Sequence, residues 1–182
     1  DSTYSVSSGQ ITFYPLKSTL LKTAGSKTIV VSANGFSNTS FTQSVSLAAP
    51  PAITLATSAT VDASFTNTFI DDSFWRSQVT GITVGGTALT NGFLIESGQI
   101  TFNPSVNTLL QTSGSKMIVI AANGYNPLIF SQIINPGVAQ TIVVTTQPVG
   151  PTTNGLTLAT QPVVTLKDQY NNVATTSNLT IS

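Results

Sequence analysis

Apolar and polar residues alternate with a period of two over most of this chain. In "QITFYP" (10–15) Ile11 and Phe13 flank Thr12, and in "TIVVSANG" (28–35) Ile29, Val31 and Ala33 fall on one face. That period belongs to strands, whose successive side chains point to opposite sides of a sheet. Pro15 and Pro104 end their strands by removing a ladder donor. Asn34-Gly35 and Asn123-Gly124 are the dipeptides favoured in type I′ hairpin turns, and each leads into a further strand, through Phe41 or Phe130. Between strands, "STLLKTAGSK" and "NTLLQTSGSK" predict a short helical turn or compact loop, with a helical turn near 105–113. Their Leu pairs would cap a core, and Gly25 and Gly114 would end the turns.

These patterns come in two copies. Residues 4–47 align with 93–136 without gaps, with 21 identical positions among 44, and many differences keep character: Val31 becomes Ile120, Phe36 becomes Tyr125, Val45 becomes Ile134. Such self-similarity predicts one fold used twice. The second copy is preceded by a segment that the first lacks. In it Val61, Ala63, Phe65, Asn67 and Phe69 alternate as a strand, "DDSFWRSQV" predicts a short helix near 72–79, and "GITVGG" predicts a strand closed by a Gly-Gly turn. A complete β-module is therefore expected over 51–137, with 1–50 the C-terminal half of a preceding one. From 138 the style changes to short strands broken by "PVGP", "NG" and "LKDQYNN", which predicts the opening strands of an immunoglobulin-like sandwich over 138–182. The fold class expected is all-β: tandem small β-sandwich (Ig-like) modules with short helical turns. The pattern is already under way at Asp1, as in a fragment of something longer.

Composition narrows the chemistry. Six Lys and Arg balance six Asp and Glu among 182 residues, and charged residues make up 7% against about 25% in an ordinary soluble domain. No basic cluster exists to neutralise phosphates, so nucleic acid is not expected as a partner. The chain has no Cys and no His, which removes disulfides, thiolate and imidazole metal sites, and the Ser-His-Asp and Cys-His arrangements of nucleophilic catalysis. No apolar run approaches the length of a membrane-spanning helix.

The stretch "TFIDDSFWRSQVTGITVGGTALTNGFLIESGQITF", followed by "GSKMIVIAANGY", resembles the haemoglobin-interacting domain family, small β-rich modules found in tandem in surface proteins of Gram-positive bacteria. The matching residues are Asp71, Asp72, Trp75, Arg76, Gly85, Gly86, Ile118, Ile120, Ala122, Gly124 and Tyr125. In the first copy Phe36 replaces the Tyr, and the Trp-containing half is absent. The tail resembles the immunoglobulin-like repeats of bacterial S-layer and adhesin-type proteins at Gln147-Pro148, Lys167-Asp168 and Asn172-Val173. Together the two resemblances imply an extracellular array in a bacterial cell wall or S-layer.

Each candidate chemical group has a plainer structural reading. Asp71 and Asp72 are the only adjacent carboxylates; they suit paired acids of glycoside hydrolysis, part of a calcium site, or capping of the helix that follows. Trp75 suits either a stacking platform or a core, with Arg76 along the surface or paired with Asp72. Haem ligation would fall to Met117, Tyr4, Tyr14, Tyr125 or Tyr170, and the place of Met117 on the strand face opposite Ile118 and Ile120 speaks for a surface position. Lys27 and Lys116 recur in "GSK", as isopeptide donors or as solvated strand starts. Asp168, Asn171 and Asn172 offer oxygen ligands for calcium or form a hairpin turn.

The expectation is a non-enzymatic structural segment of a cell-surface, S-layer-type protein without cofactor or metal, its partners being further copies or neighbouring surface-layer domains. The alternative is a ligand-binding module of an adhesin or secreted polysaccharide-active enzyme, recognising a host protein or glycan through Trp75, Arg76 and Tyr125. An exposed patch with Trp75 and Tyr125 would favour the alternative; burial of both would favour the scaffold.

Overall fold

The computed structural model describes residues 3–151 and 153–174. Its strands, in chain order, are β1 (Tyr4–Ser7), β2 (Gln10–Phe13), β3 (Gly25–Val31), β4 (Thr39–Val45), β5 (Ile53–Thr54) and β6 (Phe65–Phe69). After the helix α1 (Ser73–Gln78) come β7 (Val79–Val84), β8 (Thr87–Ala88), β9 (Phe93–Glu96), β10 (Gln99–Phe102), β11 (Gly114–Ala122), β12 (Leu128–Ile134), β13 (Thr141–Thr146) and β14 (Val163–Lys167). Single 3-10 turns lie at Pro15–Lys17, Pro104–Val106 and Thr108–Leu110, the last two at the turn expected near 105–113 and the first ahead of the corresponding segment 18–27. The protein is all-β, built as small sandwich modules.

The second copy sits in two four-stranded sheets, ordered β5-β6-β10-β9 and β12-β11-β7-β8. The first copy has the same strands in smaller sheets, β1-β2 and β3-β4, and the tail pairs β13 with β14. The alternating pattern explains which faces are buried: on β12, Leu128, Phe130, Gln132 and Ile134 point inward, and on β11, Ile118, Ile120 and Ala122 do so.

The described residues cluster into two compact units. One draws on Asp1–Pro51, Asp72–Gly81 and Ile120–Leu128, the other on Ala52–Asp71, Ile82–Val119 and Ile129–Ser182. In the second unit the core is made by Val61, Phe65, Phe69, Ile82, Val84, Leu89, Ile100, Phe102, Leu110 and Ile118. There Phe65 stacks on Phe102 with centroids 5.3 Å apart. Two buried amides bracket one backbone position of that unit. Asn67 Oδ1 accepts from the Ala56 N–H at 2.8 Å, and Gln132 Nε2 donates to the Ala56 carbonyl at 3.0 Å.

Three local expectations change. The Gly-Gly turn does form a two-residue hairpin, with φ of 57° at Gly85 and 84° at Gly86 and the pair Val84↔Thr87 closing it. At Asn123-Gly124, however, only Gly124 has positive φ, 82°, and Tyr125 N–H donates to the Ala122 carbonyl at 3.2 Å. Positive φ at the third turn residue alone is the type II pattern rather than type I′. Asn34-Gly35 behaves alike, with Gly35 at 83°. The strand expected from Val61 begins only at Phe65: Val61 is buried but lies in a turn, and Ala63 is exposed in the bend that follows. Of the tail, residues 175–182 lie outside the described residues.

Candidate functional site

Asp72, Trp75, Arg76 and Tyr125 gather in the first unit, around the short helix. Asp72 is its N-cap: in extended conformation, it accepts the Trp75 N–H on Oδ1 at 2.9 Å while its carbonyl takes the Arg76 N–H at 3.0 Å. That satisfies donors a helix start leaves open. The cap also fixes which way the next side chains turn. Trp75 is wholly buried, Arg76 is half-buried, and Phe74 and Gln78 are half-buried on the wall of a cleft. Of the two readings of Trp75, platform or core, the indole is core, so an exposed patch of Trp75 with Tyr125 does not form.

Tyr125 forms the opposite wall. Its backbone is held by a short parallel bridge in which Ala48 N–H donates to the Gly124 carbonyl at 2.9 Å and Asn126 N–H to the Ala48 carbonyl at 2.8 Å. Asn123 N–H also donates to the Gln78 carbonyl at 2.9 Å. The bend needs glycine at 124, because φ is positive and a Cβ there would stand 3.2 Å from the Lys22 carbonyl. The Tyr125 hydroxyl donates to Asp72 Oδ2 at 3.4 Å. Burial first, and then the adjacent Asp72 charge and hydrogen bond, push the Tyr125 pKa up, so the phenol stays protonated and donating.

The cleft between these walls has a volume of about 330 Å³ and a largely apolar lining, in which Leu21, Val45 and Ala48 join Phe74 and Tyr125. The two rings stand 6.3 Å apart and tilted by 46°. Lys22 Nζ lies 5.9 Å from the Phe74 centroid, within cation–π range. Phe74 and Lys22 were not marked by sequence reasoning as site residues. The available signals were the step from Gln111 to Lys22 between otherwise like copies, and the neighbourhood of Phe74 to the cap.

The other candidates are placed separately. Asp71, next to the cap residue, serves the second unit: Ser97 Oγ donates to its Oδ2 at 2.9 Å and Gly98 N–H to its Oδ1 at 3.1 Å, which holds the β9–β10 turn. The two adjacent carboxylates thus have different structural tasks. Met117 is exposed on β11, as its strand position implied. Tyr4 and Tyr14 are exposed, and Tyr14 hydroxyl meets Ser5 Oγ at 2.9 Å. Lys27 Nζ donates to Thr23 Oγ1 at 2.8 Å, tying down the loop before β3.

Asp168 is the most heavily engaged acid. It is buried, and its oxygens accept from the backbone N–H of Gly137 at 2.8 Å and of Tyr170 and Asn172, each at 2.9 Å. The Asn172 side-chain amide adds bonds at 2.9 and 3.2 Å. Burial alone would raise its pKa, but the Gly137 amide, the Asn172 side chain and the Asn172 and Tyr170 amides outweigh it and bring the value down. Asn172 in turn donates to the Gln111 carbonyl at 2.8 Å and accepts from Ser113 N–H at 2.9 Å. The hairpin-turn reading of 168–172 therefore describes this segment: Asn171 has φ of 72°, and the side-chain oxygens of Asp168 and Asn172 accept from N–H donors.

No curated protein matches the chain. Among solved structures, SGBP-B of the mixed-linkage glucan utilization locus of Bacteroides ovatus, in complex with a mixed-linkage heptasaccharide, is 13% identical with a TM-score of 0.32. That match covers 85% of this chain, which spans 40% of that chain. The family model described as "Heme-binding protein Shr-like, Hb-interacting domain" matches residues 1–46 and 53–135. Those ranges take in the Trp-containing segment and all but the last residue of each copy, and the chain belongs to this haemoglobin-interacting domain family.

Proposed function

We propose that the chain is a non-catalytic segment of a bacterial cell-surface protein that binds a protein partner through the Phe74–Tyr125 cleft. Residues 1–50 are the C-terminal half of one β-module, 51–137 a complete one, and 138–182 the start of an Ig-like module. The observation that carries the binding reading is the cleft itself: half-buried aromatic walls, a protonated phenol and the Lys22 ammonium converge on one apolar opening. Such a concave apolar site with a few polar groups at its rim is the ordinary form of a binding site. A hollow of about 330 Å³ suits an apolar side chain of a protein partner. The family name points to haemoglobin as the first protein to test.

The test is titration calorimetry of the chain with haemoglobin, alongside Tyr125→Ala and Phe74→Ala variants. Binding weakened at least tenfold by either substitution is expected; binding unchanged in both would remove the cleft from the function. A second reading, a spacer tile of an S-layer-type array, is favoured by the engagement of Asp168 and Asn172 with Gly137, Gln111 and Ser113. It would take over if the chain binds no haemoglobin.

A further inference from the structure

The chain that follows each copy returns to the same two backbone positions of that copy. β4 of the first copy ends at Val45 and β12 of the second at Ile134. Three residues further on stand Ala48 and Gly137, which share the offset of 89 that relates the copies. Ala48 N–H donates to the Gly124 carbonyl at 2.9 Å, and Gly137 N–H donates to Asp168 Oδ2 at 2.8 Å. Both acceptors belong to turns much later in the chain.

The second position lies in the loop after the paired leucines, where Lys22 and Gln111 correspond at the same offset. Gly124 packs so closely on the Lys22 carbonyl that a Cβ there would stand 3.2 Å from the oxygen. The Gln111 carbonyl accepts from Asn172 Nδ2 at 2.8 Å, and Ser113 N–H donates to Asn172 Oδ1 at 2.9 Å. The two visiting turns, 122–125 and 168–172, are also alike. Each includes one residue of positive φ, Gly124 at 82° and Asn171 at 72°. Each is closed by an N–H donated back to its first carbonyl, from Tyr125 to Ala122 and from Asn171 to Asp168.

The side chains at these positions differ between copies, and one difference follows from what surrounds the second joint. A Cβ at Gly137 would collide with the Asp62 carboxylate, which accepts from Val138 N–H and Gln169 Nε2. Alanine at 48 therefore has glycine as its counterpart at 137. What the copies keep is backbone: one N–H past the end of a strand and one carbonyl in the loop, both groups that need a partner wherever water is displaced. The first joint lies wholly within the first compact unit and the second wholly within the second. Two unrelated contacts would have no reason to select the same pair of positions.

We propose that this pair of backbone positions is a connector, which each copy offers to a turn of the segment that follows it. The partner it fits is a short turn with one positive-φ residue that brings an acceptor to the N–H. A donor for the loop carbonyl completes the second joint. The connector serves a turn of the repeat in one case and a turn of the tail, outside the repeat, in the other, so it recognises backbone geometry rather than one sequence. It goes beyond the binding assigned to the Phe74–Tyr125 cleft and holds or fails without any partner protein.

The experiment is amide hydrogen exchange on the full chain, read residue by residue by NMR. Ala48 and Gly137 N–H, although past their strands, should exchange at least tenfold more slowly than open linker amides. Asn172→Ala should speed exchange of the Ser113 N–H by about tenfold, the worth of one hydrogen bond, while Ile118 and Phe130 keep their rates. A second variant exchanges the loop side chains between copies, combining Lys22→Gln and Ala24→Ser with Gln111→Lys and Ser113→Ala. Because the connector uses only backbone groups of these residues, Ala48 and Gly137 should stay protected in it. The proposal is overturned if Ala48 or Gly137 exchanges like an open linker amide, if Asn172→Ala leaves Ser113 unchanged, or if the loop exchange releases either joint.

Discussion

Replacing Asp168 by Ala tests the physical account of the tail most directly. The substitution removes the acceptor of three backbone amides and one side-chain amide, and the bonds from Gly137 N–H and Asn172 N–H are buried. A buried donor left without an acceptor costs about 1–3 kcal/mol, so two of them predict a loss of about 4 kcal/mol. For a chain of this length, that corresponds to a fall in Tm of about 8–16 °C. The dependence on pH supplies an independent check. Because the folded-state pKa of Asp168 lies below its ordinary 3.8, its carboxylate stabilises the fold fully above that value and progressively less as pH falls through the folded-state pKa. Thermal melts followed by circular dichroism should show a wide gap between wild type and Asp168→Ala at neutral pH and a narrower one in strong acid. Equal melting temperatures at neutral pH, or a gap that stays constant into strong acid, would refute the reasoning.

Gly124→Val should destabilise by about 1–2 kcal/mol, because a β-branched residue is strained at φ of 82° and its Cβ meets the Lys22 carbonyl; an unchanged thermal melt would count against the turn geometry. Trp75→Ala should cost about 3–5 kcal/mol as a core deletion, and in the wild type the indole should resist acrylamide quenching; ready quenching would contradict its burial. Asp71→Ala should lower stability by about 1–2 kcal/mol through loss of the bonds to Ser97 and Gly98. Hydrogen exchange should become faster in the β9–β10 turn, and no change there would disprove the anchoring role.

The all-β fold and the positions of most strands were legible because period two survives in both copies: the buried residues of β11 and β12 are those the alternation marks. Short-range punctuation was legible where it is self-contained, as at Gly85-Gly86, whose two positive φ angles need no outside support. It misled at Asn123-Gly124, where the bridge to Ala48 sets a longer loop of a different turn type. Val61 shows the limit of pattern: it is buried as a strand residue would be, but by a turn. The cleft was half legible. Tyr125 stood out by its motif, but its pairing with Phe74 and Lys22 depends on residues about 50 and 100 positions apart, which no local pattern encodes. The Asp168 cluster was read as a turn, and its reach to Gly137 is a long-range contact of the same invisible kind.

The Asn67–Ala56–Gln132 bracket has a consequence for how the chain reaches its structure. By holding both polar groups of a single backbone unit, it rewards one register and penalises a slip by one residue, which would also turn the apolar face of the segment outward. The bracket cannot, however, tell one repeat from the other, because its glutamine recurs as Gln43. During refolding, Gln43 offers residues 52–91 a second partner of the same kind, so a pairing with the wrong copy satisfies the same side chain as the right one. Tandem repeats misassemble by this route. Two differences are left to resolve the competition: the direct connection of residue 91 to the second copy, which makes that closure short, and the lysines that make the first copy the more attractive acceptor at low salt. Refolding yield should accordingly improve as ionic strength rises, with the covalent tether deciding the outcome once the charges are screened.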